Sequence, residues 1–209
     1  MMKISKTKTK RVIIISLIVI VAAFASIILY DVIASKSDSG ITSNEVEQLL
    51  TRCKRKGYNQ HYCIIVDYGR FVGSPRFFIY SFDKHKVIAK SIMAHGRGGH
   101  SMPWKTDFSN VTGSQCSCLG YFLVKEYHVT SYGDPSFRVD GLDKGINDHA
   151  RQRSILIHPR KEVDYSAKHH LPAPFGVSQG CFITDHKTFA VLKGIIKKNQ
   201  PSILLWAHK

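Results

Sequence analysis

Acidic residues are scarce in this chain of 209 residues, with 15 Asp and Glu against 30 Lys and Arg. No segment recurs with a period of about 20–50 residues, which argues against solenoids and propellers. No low-complexity tract is long enough to form a tail, and a hydrophobic content of 44% argues against a disordered chain. No nucleic-acid-binding motif and no wall-binding repeat occurs either. The length therefore fits one ordinary domain plus a short additional segment, with enough chain to bury a core without disulfides.

The N-terminal segment combines a basic stretch with a long apolar run. Residues 1–11 carry five basic side chains and no acidic one, and the next nineteen residues, 12–30, carry no charge. At about 1.5 Å per residue, a helix of this length just crosses the roughly 30 Å hydrocarbon core of a membrane. We therefore predict a transmembrane anchor, or an uncleaved signal, over residues 12–33. The basic stretch predicts that residues 1–11 stay cytoplasmic.

This topology assigns the rest of the chain to the extracytoplasmic side. Residues 34–43 are small and polar, as in a short linker, and residues 44–209 form the predicted domain. The predicted location is the inner (cytoplasmic) membrane, crossed once, with the domain in the periplasm or extracytoplasmic space. Two alternatives stay open. Ala23–Ala25 is a small-x-small triplet, so a cleaved signal would give a secreted protein, and the apolar run can also be a buried globular helix.

The remaining chain is basic as well. Without residues 1–40 it keeps 24 basic and 13 acidic residues, a net charge of +11. Such a surface attracts polyanions, which outside a bacterial membrane are lipid headgroups and wall polymers. The predicted partners are therefore the membrane and an anionic wall or lipid surface, and not nucleic acid. The alternative is a solvated basic surface without a specific partner.

The apolar pattern after residue 40 predicts one helix, then many strands, then a second helix. Residues 44–56 repeat apolar side chains at helical spacing, and Thr42 and Glu45 have the spacing of a capping box. Residues 185–198 predict the later helix. Short runs rich in β-branched and aromatic residues predict strands at 62–67, 76–82, 87–94, 119–129, 137–141, 154–158 and 202–206. The predicted fold class is a β-rich α+β domain.

The chain has five cysteines, an odd number, so at least one thiol stays unpaired within the chain. Cys53 and Cys63 can pair, although Cys53 lies on the apolar face of the predicted helix, where it acts as a small hydrophobe. Cys116 and Cys118 are two residues apart, a spacing at which a disulfide is strained. The sequence offers them no third and fourth ligand at zinc spacing, so we predict no metal site.

Cys181 has a different setting. Gly180 directly before it allows a tight turn and the close approach of a substrate. The backbone amides of Gly180 and Cys181 can stabilise a developing oxyanion. A nucleophilic thiol needs a nearby base, and His158 at the end of a predicted strand is the best candidate. Taken singly, the two residues also fit a buried cysteine and a histidine that ends a strand.

His158 followed by Ser178-x-Gly180-Cys181 resembles the signature of the L,D-transpeptidases, the YkuD-like enzymes that cross-link peptidoglycan. The resemblance covers residues 60–185. It is carried further by motifs of the murein L,D-transpeptidase catalytic domain family at Met93–Gly98, Phe108–Asn110, Gly113–Ser114, Leu119–Tyr121, Asp140–Asp143, Asn147–Arg151 and Ile155–His158. The sequence departs from the commoner signature at Gln179 and Ile183.

The resemblance implies the family's mixed β-sandwich-like catalytic domain over residues 44–209. It implies Cys181 as the nucleophile, His158 as general base and later acid, and Ser178 and Gly180 as parts of the catalytic motif. No metal or cofactor is implied.

The implied substrates are peptidoglycan stem peptides. Cys181 would attack the carbonyl between the third residue and the terminal D-Ala, release D-Ala and pass the acyl group from a thioester to an amine. The product would be a 3–3 cross-link. The alternatives are an L,D-carboxypeptidase, in which water resolves the thioester, and an inactive basic wall-binding module of the same fold.

The shared motifs also supply candidate substrate-binding residues. Arg97 and Arg151 can pair with a stem-peptide carboxylate through a bidentate guanidinium, and His95 and Asn110 can hydrogen-bond the substrate amide. Structural roles are the alternative, with His95 shaping a turn and Arg151 bracing the loop after residue 140. The group that orients the general base is open, and the family often uses a backbone carbonyl. Side-chain candidates are Asp164, Ser178 and Asp185.

Overall fold

The chain divides into two compact units, Met1–Asp38 and Ser39–Lys209. The structure is a computed structural model, and it describes residues 14–22, 24–26, 39–131, 133–196 and 200–209. Within the first unit, the described residues are helical.

The predicted membrane anchor falls partly outside the described residues, as do the basic stretch 1–11 and residues 34–38 of the predicted linker. Across the described part of the chain, no helix is long and apolar enough to cross a membrane. The anchor over residues 12–33 is therefore not shown by the structure.

The second unit opens with helix α1, Ser43–Lys56. Its N-terminus is the predicted capping box. The Thr42 hydroxyl accepts a hydrogen bond from the Glu45 backbone N–H, and the Glu45 carboxylate accepts one from the Thr42 N–H at 2.8 Å. The helix ends at Gly57, whose φ of 69° is left-handed, a conformation that glycine adopts without a Cβ penalty. Leu49 and Cys53 on its apolar face are buried against the sheet, as the spacing predicts.

Eight strands of the described chain form one mixed sheet in the order β3-β2-β1-β8-β4-β5-β6-β7. Neighbouring strands are antiparallel, except that β1 pairs with β8 and β6 with β7 in parallel. The strands are β1 (Tyr62–Asp67), β2 (Phe77–Ser81), β3 (Lys86–Ser91), β4 (Gly120–Val129), β5 (Pro135–Gly141), β6 (Leu156–Pro159), β7 (Phe182–Thr184) and β8 (Leu204–His208).

The central strands are buried on both faces because helices cover both. Along β1, Ile64 and Val66 point into one apolar cluster, and Cys63 and Ile65 point into another on the opposite face. This alternation follows from the two-residue period of a strand. Helix α1 packs on the second cluster, and the C-terminal helix α3, His186–Ile195, contributes to the first.

Two elements next to Cys181 lack a signal in the sequence. These are strand β7, only three residues long, and helix α2, Lys161–Lys168, which follows β6. The expected β-sandwich is also corrected, because all eight strands are hydrogen-bonded into one sheet. The reason is that β8 inserts between β1 and β4 and joins the two halves.

Candidate active site

Cys181 and His158 lie on neighbouring strands and face the same side of the sheet. β6 and β7 pair in parallel with His158 opposite Ile183, and Cys181 comes one residue before β7. Paired residues face the same way and side chains alternate along a strand, so Cys181, Ile183 and His158 share one face. A strand spacing of roughly 4.8 Å and a rise of roughly 3.3 Å per residue put the Cα atoms of Cys181 and His158 about 8 Å apart.

The imidazole of His158 is held in one tautomer. Its Nδ1 lies 3.3 Å from the carbonyl oxygen of Pro159. A carbonyl oxygen only accepts, so Nδ1 carries the proton and Nε2 keeps its lone pair. Burial lowers the pKa of His158 below its ordinary value, although the hydrogen bond to Pro159 opposes this. The ring is therefore neutral at neutral pH and Nε2 is available as a base.

The Cys181 thiol is protonated at neutral pH. Burial raises the pKa of Cys181, while a backbone hydrogen bond from Leu156 and the charges of Arg153 and Arg160 act in the lowering direction. Its Sγ donates to the carbonyl oxygen of Ser154 at 3.7 Å. For this thiol to act as a nucleophile, a general base would have to remove its proton.

Cys181 is also the most accessible thiol of the chain. All five cysteines lie in the described residues and all are free. Cys181 is half-buried, and the other four are buried, namely Cys53, Cys63, Cys116 and Cys118.

A tight turn fixes the backbone of Cys181. The buried hydroxyl of Ser178 donates to the Cys181 carbonyl oxygen at 2.9 Å and accepts from the Gly180 N–H at 3.1 Å. Gly180 has a φ of +113°, and a Cβ there would lie 2.5 Å from the carbonyl oxygen of Cys116. Only glycine fits at this position. Because the Gly180 amide is bonded to Ser178, the Cys181 amide is the better candidate for an oxyanion donor.

The open edge of β7 is covered by a segment around His95. Ala94 bridges to Ile183 and Gly96 to Ser178, and the Arg97 N–H donates to the Ser178 carbonyl oxygen at 3.0 Å. These backbone contacts place Arg97 beside the Cys181 turn.

His95 itself is buried with both ring nitrogens engaged. Nδ1 lies 3.3 Å from Nη1 of Arg76, and Nε2 lies 2.9 Å from the carbonyl oxygen of Met102. Arginine only donates and a carbonyl only accepts, so Nδ1 accepts and Nε2 donates. Burial and the neighbouring Arg76 charge lower the pKa of His95, which keeps the ring neutral. A substrate hydrogen bond would cost His95 one of these partners, which favours the structural alternative, and its substrate role stays a prediction.

A family profile for the L,D-transpeptidase catalytic domain matches residues 34–206. The chain belongs to this family. No curated protein matches the chain significantly.

Several solved structures are similar to this chain at low identity. An L,D-transpeptidase from Mycobacterium smegmatis is 12% identical, with a TM-score of 0.42 over 71% of this chain and 59% of that one. An L,D-transpeptidase from Xylanimonas cellulosilytica is 10% identical, with a TM-score of 0.38 over 76% and 68%. The helical cell shape determining protein Pgp2 from Campylobacter jejuni is 12% identical, with a TM-score of 0.44 over 78% and 54%. This chain thus spans about three fifths of the length of the mycobacterial protein.

Within this L,D-transpeptidase domain, two of the predicted substrate-binding residues have internal partners. The Asn110 side chain donates to Asp148 at 2.7 Å and accepts from the His149 N–H at 3.1 Å. Arg151 forms ion pairs with Glu126 and Asp140. These contacts join loops and strands and give both side chains structural partners, while their substrate role stays a prediction.

The predicted carboxylate-binding role of Arg97 stays a prediction. Its side chain is exposed, and its Nε donates to the Gln115 side chain at 2.9 Å. An exposed guanidinium beside the Cys181 turn is suitable for a carboxylate partner.

The group that orients the His158 ring is a backbone carbonyl, that of Pro159. The three side-chain candidates have other roles. Asp164 bonds to the His186 backbone and ring, Asp185 caps helix α3 through the Thr188 N–H, and Ser178 shapes the Cys181 turn.

Arg153 lies beside Gly180 and carries no signal in the sequence beyond its charge. Its guanidinium donates to the carbonyl oxygens of Ser109 and Cys116 at 2.5 and 2.6 Å, and to Cys118 Sγ. It therefore clamps the loop on which Gly180 rests. In the described part of the chain, no group of three His, Cys, Asp or Glu side chains is arranged to hold a metal ion.

Proposed function

We propose that this protein is a peptidoglycan L,D-transpeptidase that forms 3–3 cross-links through a Cys181 thioester and releases D-Ala. The observation that carries the proposal is the pairing of β6 with β7, which puts a neutral His158 base and the most accessible thiol of the chain on one face.

The protonation states define the first chemical step. His158 Nε2 removes the proton from Cys181 Sγ as the sulfur attacks the carbonyl carbon between the third stem-peptide residue and D-Ala. The Cys181 N–H lies at the turn where negative charge develops on the carbonyl oxygen. His158 then returns the proton to the leaving nitrogen, and the carbon–nitrogen bond breaks to leave a thioester.

The thioester is resolved by an amine of a second stem peptide. Its nitrogen attacks the thioester carbon, His158 accepts the amine proton, and the sulfur leaves as the regenerated thiol after proton return. In this proposal Arg97, beside Ser178, lies where the acyl part of the donor stem peptide binds, and it pairs with a carboxylate of that peptide.

The proposed location is outside the cytoplasm, where peptidoglycan lies. This part of the proposal rests on the sequence of the first 33 residues. Fractionation of cells that express a tagged full-length chain tests it, and recovery from the cytosol alone would contradict it.

Mass spectrometry of the purified full-length protein incubated with disaccharide-tetrapeptide tests the reaction. A dimer that has lost one D-Ala supports the transpeptidase. A tripeptide monomer alone would replace it with the L,D-carboxypeptidase. No product and no acyl adduct on Cys181 would leave an inactive binding module.

The control pair is Cys181→Ala and Cys53→Ala. The first removes the nucleophile and abolishes product, and the second removes a buried thiol of α1 and retains it. Product from Cys181→Ala would refute the mechanism.

A further inference from the structure

Arg160 extends the row of functional side chains on the Cys181 face. It lies two residues after His158, and its backbone is extended, with φ −144° and ψ 139°. Its N–H donates to the Thr184 carbonyl oxygen at 3.1 Å, so the pairing of β6 with β7 continues to this point. Since side chains alternate, Arg160 faces the same side as His158. The order along this face is Cys181, His158, Arg160.

The guanidinium of Arg160 is only partly satisfied. Nη1 contacts Asp134 Oδ2 at 3.5 Å, the limit of a hydrogen bond. Nε is buried and has no hydrogen-bond partner among the described residues. The side chain remains 36% exposed, so a ligand can reach it. The guanidinium therefore has donor capacity that no described residue takes up.

The charge of Arg160 reaches the reacting groups. It acts to lower the pKa of both His158 and Cys181. Its neighbour Asp134 acts on His158 in the opposite direction. The guanidinium therefore lies close to the place where the leaving nitrogen would take its proton.

We propose that Arg160 binds the carboxylate of the leaving D-amino acid. This inference rests on the proposed function. In the leaving residue the carboxylate carbon is only two bonds from the nitrogen that His158 protonates, so a group just beyond His158, as seen from Cys181, is close enough to bind this carboxylate. Arg160 is the charged residue at that position, and a guanidinium matches a carboxylate in a bidentate way.

The other arginines near the site are placed differently. Arg151 is paired with Glu126 and Asp140, and Arg153 is bonded to carbonyl groups under Gly180. Arg97 lies beside Ser178, on the opposite side of Cys181 from His158. Arg160 thus distinguishes a terminal D-residue from an internal one, because only the terminal residue carries the free carboxylate.

The test compares two donors with the full-length protein. One is disaccharide-tetrapeptide ending in D-Ala, and the other is the same compound with a C-terminal carboxamide. Release of D-Ala or of D-alaninamide is followed by mass spectrometry for wild type, Arg160→Gln, Arg160→Lys and Asp134→Asn. We expect wild type to favour the carboxylate by about 10- to 100-fold in kcat/KM, mainly through KM.

In Arg160→Gln this preference should fall to near one, because the carboxylate donor loses far more kcat/KM than the carboxamide donor, and Arg160→Lys should keep part of it. Asp134→Asn is the matched control, because it breaks the same ion pair but keeps the guanidinium, and it should keep the preference. Equal loss with both donors in Arg160→Gln and Asp134→Asn would show a structural ion pair and overturn the inference. Wild type that releases neither product would instead refute the proposed function, and the inference with it.

Discussion

Gly180→Ala is the substitution that most directly tests how the Cys181 backbone is positioned. The added Cβ would lie 2.5 Å from the Cys116 carbonyl oxygen and 2.9 Å from Ile155 Cδ1, whereas real Cβ atoms essentially never approach closer than 3.0 Å. The first contact is with backbone, so the Cys181 turn or the Cys116 loop must move by about 0.5 Å or more.

The magnitude has two parts. A left-handed φ of +113° is strained for alanine, which together with the contact lowers the free energy of unfolding by about 2–3 kcal/mol. For a chain of this size that is a fall of about 4–12 °C in Tm. Misplacement of the nucleophile by a fraction of an ångström to 1 Å lowers kcat by about 100-fold.

The matched control is Gly57→Ala at the end of α1. Gly57 also has a left-handed φ, of +69°, but no atom lies within 4 Å of the position that an added Cβ would take. It should lose about 1 kcal/mol of stability and no activity. The assay is D-Ala release from disaccharide-tetrapeptide together with thermal unfolding. Activity of Gly180→Ala within threefold of wild type would refute this account of the turn.

Three further outcomes are expected. Because burial raises the pKa of Cys181, less than about 3% of this thiol is thiolate at pH 7. Its alkylation by iodoacetamide should therefore rise about tenfold per pH unit from pH 6 to 8. A plateau in that range would contradict a protonated Cys181 beside a neutral His158. His158→Ala should lower kcat by about 10²–10⁴-fold and remove the rising limb of the kcat/KM profile, which in wild type lies below pH 6.5 because the pKa of His158 is lowered. Arg151→Gln should leave activity unchanged and lower stability at pH 7 by about 1 kcal/mol or less, because both side chains of the Arg151–Glu126 pair are more than one third exposed. The Arg151 hydrogen bond holds the pKa of Glu126 at about 2, so this loss is present above about pH 4.3 and disappears as the pH falls towards 2, and urea unfolding at the two extremes checks it.

The sequence predicts the elements that depend on a local pattern. The capping box at Thr42 and Glu45 and the first strand over Tyr62–Asp67 lie where they were predicted. Both signals are local, because a cap needs residues three apart and a buried strand needs one short apolar run. Strand β7 is too short for such a pattern. It forms because it pairs with β6, which is about 25 residues away in the sequence.

The candidate nucleophile and base are recognisable in the sequence for a related reason. Gly180 must precede Cys181 because the backbone of another loop lies against it, and His158 lies in the short strand β6. A required glycine and a short predicted strand are both visible in the local sequence.

The roles of the other polar residues were decided by tertiary structure. The local sequence around Arg151 does not predict its partner Glu126, and that around Asn110 does not predict Asp148. The contact between His95 and Arg76 is equally invisible in the local sequence. The partners are 19 to 38 residues away. The sequence by itself thus determined helices α1 and α3, seven of the eight described strands and which thiol follows a required glycine. Only the folded sheet decided which charges are neutralised and which, like Arg160, still face the site, because an ion pair depends on distance in space and not on separation along the chain.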